Sequence, residues 1–263
     1  MEILFLGTGS CIPTTNNPLR SFAGFFIDLG NEGLLFDIGP GTLVKMQQSG
    51  IDINKKPTHV FVSHLHPDHS ADFVGFMQGR GLNHVWHNIN DVVIVYGGKG
   101  IADFVREICE GITAWKSFSE ELKASGVIEV NEVDKGVIAK AGNWKVSCIS
   151  VKHFNSKAYR LDFDGKSVVY TGDMAYDENF SILGKNADIA IMECSFPDRN
   201  SLKGAHLCPE DIGKLAKLGN FKNIILTHIY PECEGREEEM IAKIHEFTDA
   251  KVTLAYDLMK FSI

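Results

Sequence analysis

A six-residue segment in the first third of the chain is dense in side chains that bind metals. Residues 64–69 have the sequence His-Leu-His-Pro-Asp-His. Its candidate ligands are His64, His66, Asp68 and His69. The segment follows residues 59–63, an apolar run with β-branched residues that predicts a buried strand. Imidazoles favour zinc and related transition metals, and carboxylates add charge and bridge ions. Core packing does not explain this cluster, which suits two metal ions better than one.

Three more candidate ligands lie directly beyond other predicted strands. The strands are predicted over residues 145–151, 167–171 and 223–227. The polar residues that follow them are His153, Asp173 and His228. Side chains at strand ends converge at one edge of a sheet, which is a rigid place to hold metals. Each of the three alone is more often an ordinary polar residue, and only the joint pattern favours metal binding.

The predicted elements that must position these side chains fit a layered α/β fold. The other strands are predicted over residues 2–6, 23–28, 34–37, 92–96, 128–133, 158–164, 189–193 and 252–255. Helices are predicted over residues 42–48, 71–78, 102–110, 209–218 and 236–247. Each half passes from antiparallel-looking strands to strand–helix alternation, which favours two sheets packed face to face with helices outside. No low-complexity linker divides the halves, so we expect one domain over residues 1–263.

The composition is that of a folded protein without a general affinity for anionic partners. Of the 263 residues, 44% are hydrophobic and 23% are charged, which excludes disordered, collagen-like and coiled-coil chains. Lys and Arg number 26 against 34 Asp and Glu, and the net charge is -8. A general basic coat for nucleic acid or a membrane surface is therefore absent, although a local basic patch stays open.

The termini and the cysteines predict a cytoplasmic protein. The N-terminal apolar stretch stops at Gly7, which is too short for a signal peptide, and it has no basic flank. No run of about 18 uncharged apolar residues occurs, so neither a transmembrane helix nor a membrane partner is expected. The six cysteines are widely spread without a C-x-x-C pair, which predicts reduced and mostly structural thiols.

The ligand pattern resembles that of the metallo-β-lactamase fold superfamily of metal-dependent hydrolases. Besides residues 64–69 and His153, the resemblance rests on Asp173 in a Thr-Gly-Asp context and His228 in a Leu-Thr-His context. Residues 5–9, 36–42 and 255–257 are similar to the branch that contains ribonuclease Z, the tRNA 3′-processing endonuclease. The resemblance covers nearly the whole chain. It implies an αββα sandwich with two divalent metal ions, usually zinc, although manganese and iron accept similar ligands.

The resemblance also implies a role for each ligand. One metal would be bound by His64, His66 and His153, the other by Asp68, His69 and His228, and Asp173 would bridge both. A water or hydroxide between the two ions loses its proton near neutral pH and attacks phosphorus or a carbonyl carbon. Asp68 is then both a ligand and a candidate base toward that water. The implied chemistry is hydrolysis.

Two further residues point to a phosphodiester substrate. In ribonuclease Z-like enzymes a glutamate and a downstream histidine stabilise the leaving group, and Glu193 and His206 stand in similar contexts here. A histidine held by a carboxylate donates a proton to a departing alkoxide. A helix-capping or surface role for His206 stays open. The glycine-rich turn over residues 7–20 offers backbone N–H groups and Arg20 to a phosphate, or else it only connects two strands. Asp37 is expected to shape the site from behind the ligands.

The chain also departs from ribonuclease Z. That enzyme carries a Gly/Pro-rich arm for the tRNA elbow between the third metal histidine and the bridging aspartate. Here His153 and Asp173 are only 20 residues apart, which is just enough for two strands. Pro40 replaces an acidic residue common in the family. RNA stays open as a partner, but without the arm and at net charge -8 the usual means of holding a large RNA is missing, unless a dimer partner supplies part of it.

The sequence therefore predicts a dinuclear metal-dependent hydrolase, foremost a phosphodiesterase that uses a metal-bridging hydroxide. Hydrolysis of a lactone, a thioester or an aryl sulfate is the alternative on the same fold. A di-iron redox centre is a second alternative, although His66 stands where an oxygen-reducing relative would carry glutamate. A non-catalytic interaction module is a third. A homodimer is expected only from the resemblance, and His84 and His87 are expected to have a loop or interface role.

Overall fold

The computed structural model describes residues 1–15, 19–115 and 126–262. The strands in these ranges are β1 (Glu2–Gly7), β2 (Gly24–Asp28), β3 (Gly33–Phe36), β4 (His59–Val62), β5 (Val93–Gly97), β6 (Ile128–Glu132), β7 (Gly136–Ala141), β8 (Trp144–Ser150), β9 (Lys157–Phe163), β10 (Lys166–Tyr170), β11 (Ile189–Glu193), β12 (Asn223–Thr227), β13 (Lys251–Leu254) and β14 (Lys260–Ser262). They form two seven-stranded sheets. The first has the order β14-β1-β2-β3-β4-β5-β6, and the second has the order β13-β12-β11-β10-β9-β8-β7.

Helices connect the parallel strands of both sheets. They are α1 (Thr42–Gln48), α2 (Pro67–Ser70), α3 (Phe73–His87), α4 (Ile101–Arg106), α5 (Asn179–Leu183), α6 (Pro209–Gly219) and α7 (Glu237–His245). A π-helical turn over Glu107–Gly111 continues α4, and 3-10 turns lie at Thr113–Trp115 and Pro231–Cys233. Proline is at the start of α6, where its missing N–H costs nothing, and the acidic residues in the first turns of α6 and α7 complement the helix dipole.

Three hydrophobic cores separate four layers. The central core lies between the sheets and is rich in aromatic rings, with Phe36 stacked at 4.9 Å on both Phe25 and Phe61. A second core packs α1 and α3 on the first sheet through residues such as Met46 and Phe73. The third packs α6 and α7 on the second sheet. Because each sheet buries both faces at its centre, the central parallel strands such as β4 and β11 are almost continuously apolar, whereas the outer strands β6 and β13 are partly exposed. The predicted αββα sandwich is confirmed.

The two sheets share a plan that brings functional loops to one edge. In the first sheet β3, β4, β5 and β6 are parallel neighbours, and in the second β10, β11, β12 and β13 are. The carboxyl ends of β4, β10, β11 and β12 lead directly into the loops that contain the predicted ligands. Between His153 and Asp173 the chain forms only the antiparallel hairpin β9–β10.

The structure corrects several predicted boundaries. The helix predicted over residues 71–78 begins at Phe73 and continues to His87, because packing of Phe73, Phe76 and Met77 on the first sheet outweighs the low helix propensity of three glycines. The helix predicted over 102–110 becomes a π-helical turn after Arg106. The sequence reasoning missed β7, β14, α2 and α5, which are short or without clear periodicity. No helix in the described ranges is both long and apolar enough to cross a bilayer.

Candidate metal centre

The seven predicted ligands lie together at the edge where the two sheets meet. Their ligand atoms form two groups, within each of which all atoms are within 4.8 Å of one another: His64, His66, His153 and Asp173 in one, and Asp68, His69 and His228 in the other. Asp173 lies between the groups. Its Oδ1 is 3.3 Å from Nε2 of His69, and its Oδ2 is 3.4 Å from Nε2 of His228 and 3.8 Å from Nε2 of His64.

The loop after β4 is held in place by contacts from the second sheet. The Tyr159 hydroxyl donates to the carbonyl oxygen of Val62 at 2.7 Å, and the backbone N–H of Lys157 donates to the carbonyl oxygen of Ser63 at 2.9 Å. His66 is extended and Pro67 starts α2, so Asp68 and His69 belong to the first turn of that helix. Because the backbone changes from extended to helical, His64 and His66 face one point, and Asp68 and His69 face a neighbouring one.

Hydrogen bonds fix the orientation of three imidazoles. Nδ1 of His69 donates to Oδ2 of Asp37 at 2.7 Å, and Nδ1 of His153 donates to the carbonyl oxygen of Ala205 at 3.0 Å. Nδ1 of His228 is 2.9 Å from Oγ of Ser195. In His69 and His153 the partner only accepts, so Nδ1 carries a proton and Nε2 is the nitrogen that faces the ligand group. Burial lowers the pKa of His69, but the carboxylates of Asp173 and Asp37 outweigh it and raise the value, so a metal bound at this Nε2 would replace a proton. Metal-binding histidines are commonly held in this way.

The donor set fits two cations. Nε2 of His64, Nε2 of His69 and Oδ1 of Asp173 are buried and make no hydrogen bond, although buried polar atoms are normally paired. Burial lowers the pKa of His64, and the neighbouring His69 imidazole lowers it further, so its lone pair is free at neutral pH. Burial alone would raise the pKa of Asp173, but the imidazoles of His228 and His69 hold it well below its usual range. Neutral imidazoles and an ionised carboxylate are the forms that bind metals.

Asp37 supports the ligands from behind, as the sequence predicts. It is fully buried, and its carboxylate accepts hydrogen bonds from four donors. These are the Ser63 N–H at 2.6 Å, the Ser63 hydroxyl at 2.7 Å, the Tyr170 hydroxyl at 2.6 Å and Nδ1 of His69 at 2.7 Å. The contacts join the loop after β4 to the end of β10. Asp37 therefore sets the position of one ligand and ties the two sheets together.

Asp37→Asn is expected to weaken both metal binding and folding. The NH₂ group of the asparagine amide would face groups that themselves donate hydrogen bonds, so at least one buried hydrogen bond is lost. The free energy of unfolding should therefore fall by about 3 kcal/mol. Metal affinity should fall roughly 10- to 100-fold because His69 is no longer oriented. Denaturant unfolding and metal titration measure the two effects. Asp28→Asn, which alters an exposed pair with Lys56, is the control and should cost below about 1 kcal/mol. Equal losses in the two variants would contradict the support role.

Gly39 lies where the backbone of the ligand loop passes too closely for any side chain. A Cβ at this position would overlap the carbonyl oxygen of Asp68 and lie 2.9 Å from that of Ala23. Gly39→Ala should therefore displace the ligand loop and destabilise the fold by roughly 1–3 kcal/mol. Gly79→Ala on α3 meets open space and should stabilise by about 0.5–1 kcal/mol, since alanine favours a helix. Thermal unfolding of the two variants tests the opposite signs; a neutral Gly39→Ala would be evidence against this close approach.

Glu193 and His206 form a buried pair beside the ligand groups. Nδ1 of His206 is 3.1 Å from Oε2 of Glu193, and Oε1 of Glu193 accepts the backbone N–H of Met174 at 2.6 Å. The Ser195 hydroxyl also donates to Glu193. Burial lowers the pKa of His206, but the Glu193 carboxylate outweighs it and raises the value to about 9. His206 is thus a protonated acid at neutral pH, and its Nδ1 is 3.9 Å from Oδ2 of Asp173.

The turn over residues 7–20 is partly outside the described residues, since 16–18 are not described. Nη1 of Arg20 donates to Thr8 Oγ1 at 2.7 Å and to the carbonyl oxygen of Ala255 at 2.6 Å. Asp257 accepts the N–H of Thr8 at 3.1 Å and that of Ser21 at 2.7 Å. This network, which sequence reasoning missed, joins the turn to residues 255–257. It favours the interpretation that Arg20 stabilises the connection between the two strands over the interpretation that Arg20 binds a phosphate.

Two other residues, Tyr230 and His84, differ in their distance from the ligand groups. Tyr230 lines the site, with its ring 5.6 Å from that of His228 and 5.7 Å from that of His206. Its hydroxyl is 3.2 Å from Sγ of Cys11. His84 sits near the end of α3, where its Nδ1 is 3.3 Å from the carbonyl oxygen of Ile89. His84 and His87 belong to the last turns of this helix, so the predicted loop role is wrong, and the interface role stays a prediction.

Comparison with known proteins identifies the family. The model of the family described as "Anti-Pycsar protein Apyc1" matches residues 1–252. The chain belongs to this family. This Apyc1 family member is also similar to curated ribonucleases Z. It is 25% identical over 312 aligned positions to the ribonuclease Z of Macrococcus caseolyticus, and the alignment covers 100% of both chains. It is 27% identical over 315 positions to the ribonuclease Z of Listeria monocytogenes, covering 100% of this chain and 99% of the relative.

Solved structures support the same fold for this Apyc1 family member. The metallo-β-lactamase fold protein YhfI from Bacillus subtilis has a TM-score of 0.81 at 21% identity, covering 99% of this chain and 98% of that one. The short form of human tRNase Z has a TM-score of 0.76 at 23% identity, covering 100% and 99%. The predicted resemblance to ribonuclease Z-like metallo-β-lactamase fold proteins is confirmed. The role of each ligand stays a prediction.

Proposed function

We propose that the chain is a dinuclear metal-dependent phosphodiesterase. The observation that carries this proposal is the position of His206, whose Nδ1 is 3.1 Å from Oε2 of Glu193 and 3.9 Å from Oδ2 of the aspartate between the two ligand groups. A thioester or an aryl sulfate has a good leaving group and needs little help from an acid, whereas a phosphodiester with an alkoxide leaving group needs a proton. Relatives named ribonuclease Z support the same class of bond.

In this proposal the seven ligands hold two ions, and zinc is the metal that we expect first. His64, His66 and His153 would hold one ion, Asp68, His69 and His228 the other, and Asp173 both. One structural neighbour is described as Zn²⁺-bound PqqB, with a TM-score of 0.73 and 13% identity. Two such ions lower the pKa of water between them and polarise the phosphoryl oxygens.

The chain's own residues supply orientation and protons. Asp68 is nearly buried, and its Oδ2 is 3.3 Å from Nε2 of His228, so it is positioned as a ligand that can also accept a proton from attacking water. Because Nδ1 of His206 is engaged by Glu193, the proton that His206 donates is the one on Nε2. The Met174 N–H and the Ser195 hydroxyl donate to Glu193 and hold its carboxylate in place. Tyr230 covers one side of the pair and limits the access of water.

We further propose that the substrate is small and that the tRNA arm is missing. The hairpin β9–β10 fills the interval where ribonuclease Z carries its arm. The alignment with the Macrococcus enzyme spans 312 positions, while this chain has 263 residues, so at least 49 positions of that relative have no counterpart here. The net charge of -8 gives no general attraction for a long polyanion.

The remaining predictions concern the localisation, the domain organisation and the oligomeric state of the protein. Cys11, Cys148, Cys194, Cys208 and Cys233 are free thiols, which fits the reducing cytoplasm. The two sheets share one central core, which fits the predicted single domain over residues 1–263. A homodimer is carried over from the resemblance, and size-exclusion chromatography with light scattering tests it.

The deciding experiment compares three substrates on protein of known metal stoichiometry. A simple phosphodiester, a lactone and an aryl sulfate are each assayed with and without a chelator. We expect chelator-sensitive turnover of the diester, with far slower turnover of the other two. Turnover of the lactone or the sulfate instead would keep the fold and the ligand groups but move the activity to the alternative hydrolase. Absence of all three activities, with iron bound and redox-active, would favour the di-iron alternative.

A further inference from the structure

His206 lies on a loop that is held mainly by side chains. Residues 196–208 lie between β11 and α6 and form neither a strand nor a helix. The loop is buried near its ends, at Phe196 and Leu207, and has exposed residues between them. Since no helical or sheet ladder of backbone hydrogen bonds holds residues 196–208, the position of the loop depends on the contacts of its side chains.

The same loop contacts both parts of the proposed site. His206 is bonded to Glu193 and lies 3.9 Å from Asp173. The carbonyl oxygen of Ala205, one residue earlier, accepts the hydrogen bond from Nδ1 of His153 at 3.0 Å. A displacement of the loop would therefore move the proposed acid and, at the same time, release the orientation of one predicted ligand. Partners that orient a ligand influence metal affinity in this way.

An ion pair joins the two ends of this loop. Nη2 of Arg199 donates to Oδ1 of Asp211, which belongs to the first turn of α6. The Asp211 side chain is only 2% exposed, whereas that of Arg199 is 48% exposed. Sγ of Cys208 donates to Oδ2 of Asp211 at 3.3 Å, and the backbone N–H of Asp211 donates to the carbonyl oxygen of Cys208 at 3.0 Å. These contacts close residues 199–211 into a ring that contains His206.

The burial of Asp211 distinguishes this ion pair from the others on the loop. Nη2 of Arg236, the residue before α7, is 2.9 Å from Oδ2 of Asp198, and both of these groups lie at the surface. Exposed ion pairs contribute little to stability. Loss of Arg199, in contrast, would leave the buried carboxylate of Asp211 without its cation, which is costly. The position of the loop should therefore depend most on the pair of Arg199 and Asp211.

We propose that Arg199, through its ion pair with Asp211, is a positioning residue that holds His206 in place to donate its Nε2 proton to the leaving alkoxide. This inference rests on the proposed phosphodiesterase function. Arg199 acts through the loop, since its guanidinium is engaged by Asp211. Its loss should slow the hydrolysis of diesters whose leaving group needs a proton and spare those whose leaving group does not.

Two diesters with different leaving groups test this role at saturating metal. Dithymidine phosphate loses an alkoxide, and thymidine 5′-(p-nitrophenyl) phosphate loses nitrophenolate. Arg199→Met should lower kcat for the first diester by about 10- to 100-fold, as expected for a misplaced catalytic group, and for the second by less than about 3-fold. Arg199→Lys keeps the charge and should restore most of the loss. Arg106→Met, which breaks the exposed pair with Asp103 on α4, is the matched control and should leave both rates unchanged.

The effects on kcat and KM distinguish positioning from direct contact with the substrate. If Arg199 bound the phosphate itself, its loss would raise KM for both diesters alike. Loss of positioning lowers kcat for the diester with the alkoxide leaving group and leaves KM nearly unchanged. A common rise in KM, or an equal fall in kcat on both diesters, would therefore overturn the proposal.

Hydrogen exchange follows the loop without any reaction. In Arg199→Met the amides of residues 199–207 should exchange at least about 10-fold faster, while those of β11 and β12 keep their wild-type rates. Titration of metal into the metal-free protein should show binding weakened by about 10-fold, because Ala205 no longer orients His153. If Arg199→Met does not fold, the double variant with Asp211→Asn leaves no buried charge unpaired and takes its place.

The exchange and titration experiments separate this proposal from the proposed function. Wild-type exchange rates in the loop of Arg199→Met would refute the role of Arg199, whatever the activity. If the wild-type protein hydrolyses neither diester, the proposed function fails. Faster loop exchange and weaker metal binding in Arg199→Met would then still show that the ion pair positions His206 and Ala205, but for another reaction.

Discussion

Asp173→Asn is expected to release most of the bound metal and to reduce hydrolysis to background. The carboxylate of Asp173 faces both ligand groups, with Oδ1 near His69 and Oδ2 near His64 and His228. The amide that replaces it is neutral and has only one good ligand oxygen. Two cations would then face each other without the carboxylate that offsets their repulsion, and both sites should weaken together.

Metal analysis by mass spectrometry after gel filtration, together with diester turnover, measures this effect. Asp164→Asn is the matched control: the chemical change is the same, but the residue lies in the exposed turn of the β9–β10 hairpin. Asp164 has a φ of 47°, a conformation that asparagine also adopts readily, so the control should keep both its metal and its activity. If Asp173→Asn kept two equivalents of metal, the bridging role would be refuted.

His206→Ala is expected to leave the metal content unchanged and to slow hydrolysis of a diester with an alkoxide leaving group by roughly 10²- to 10⁴-fold. The ring lies beside the ligands, with its Nδ1 bonded to Glu193, so its removal deletes a proton donor and no predicted metal ligand. Glu193→Gln should act in the same direction with a smaller effect, because a neutral amide no longer favours the charged imidazole. Steady-state kinetics with metal analysis of each variant provides the measurement.

The leaving group offers an internal control for this acid. A nitrophenolate leaves without protonation, so His206→Ala should lose far less activity on a nitrophenyl diester than on an alkyl diester. A loss that is equally large on both substrates would assign His206 to positioning or metal binding. A role of His206 in metal binding is a real alternative in this geometry. His206 forms a group with Asp173, Glu193 and His228 in which all ligand atoms are within 4.8 Å of one another.

Much of the fold was predictable because its signals are local. Strands β11 and β12 have the predicted bounds, since each is a short apolar run between breakers, and α6 starts at the predicted proline. The ligand loop was equally visible, because residues 64–69 concentrate four ligands in one place. The helix over Phe73–His87 was cut short in the prediction because its glycines hid a continuous packing face.

The rest of the site depends on contacts between residues far apart in sequence. No local pattern shows that Ser195 links Glu193 to His228, or that Asp257 and Arg20 join the two ends of the chain around Thr8. Such partners are chosen by the docking of the two sheets, which sequence periodicity does not describe.

The origin of the ligands has a thermodynamic consequence for the whole molecule. Residues 64–69 belong to the first sheet, whereas His153, Asp173 and His228 belong to the second. An ion held by both sets is a non-covalent cross-link between the two halves of the sandwich at this edge. Unfolding must break this link, so mass action makes the folded state more stable as free metal rises, by about 2.7 kcal/mol at 100 times the dissociation constant. Metal supply in the cell would then set the lifetime of the protein as well as its catalytic state.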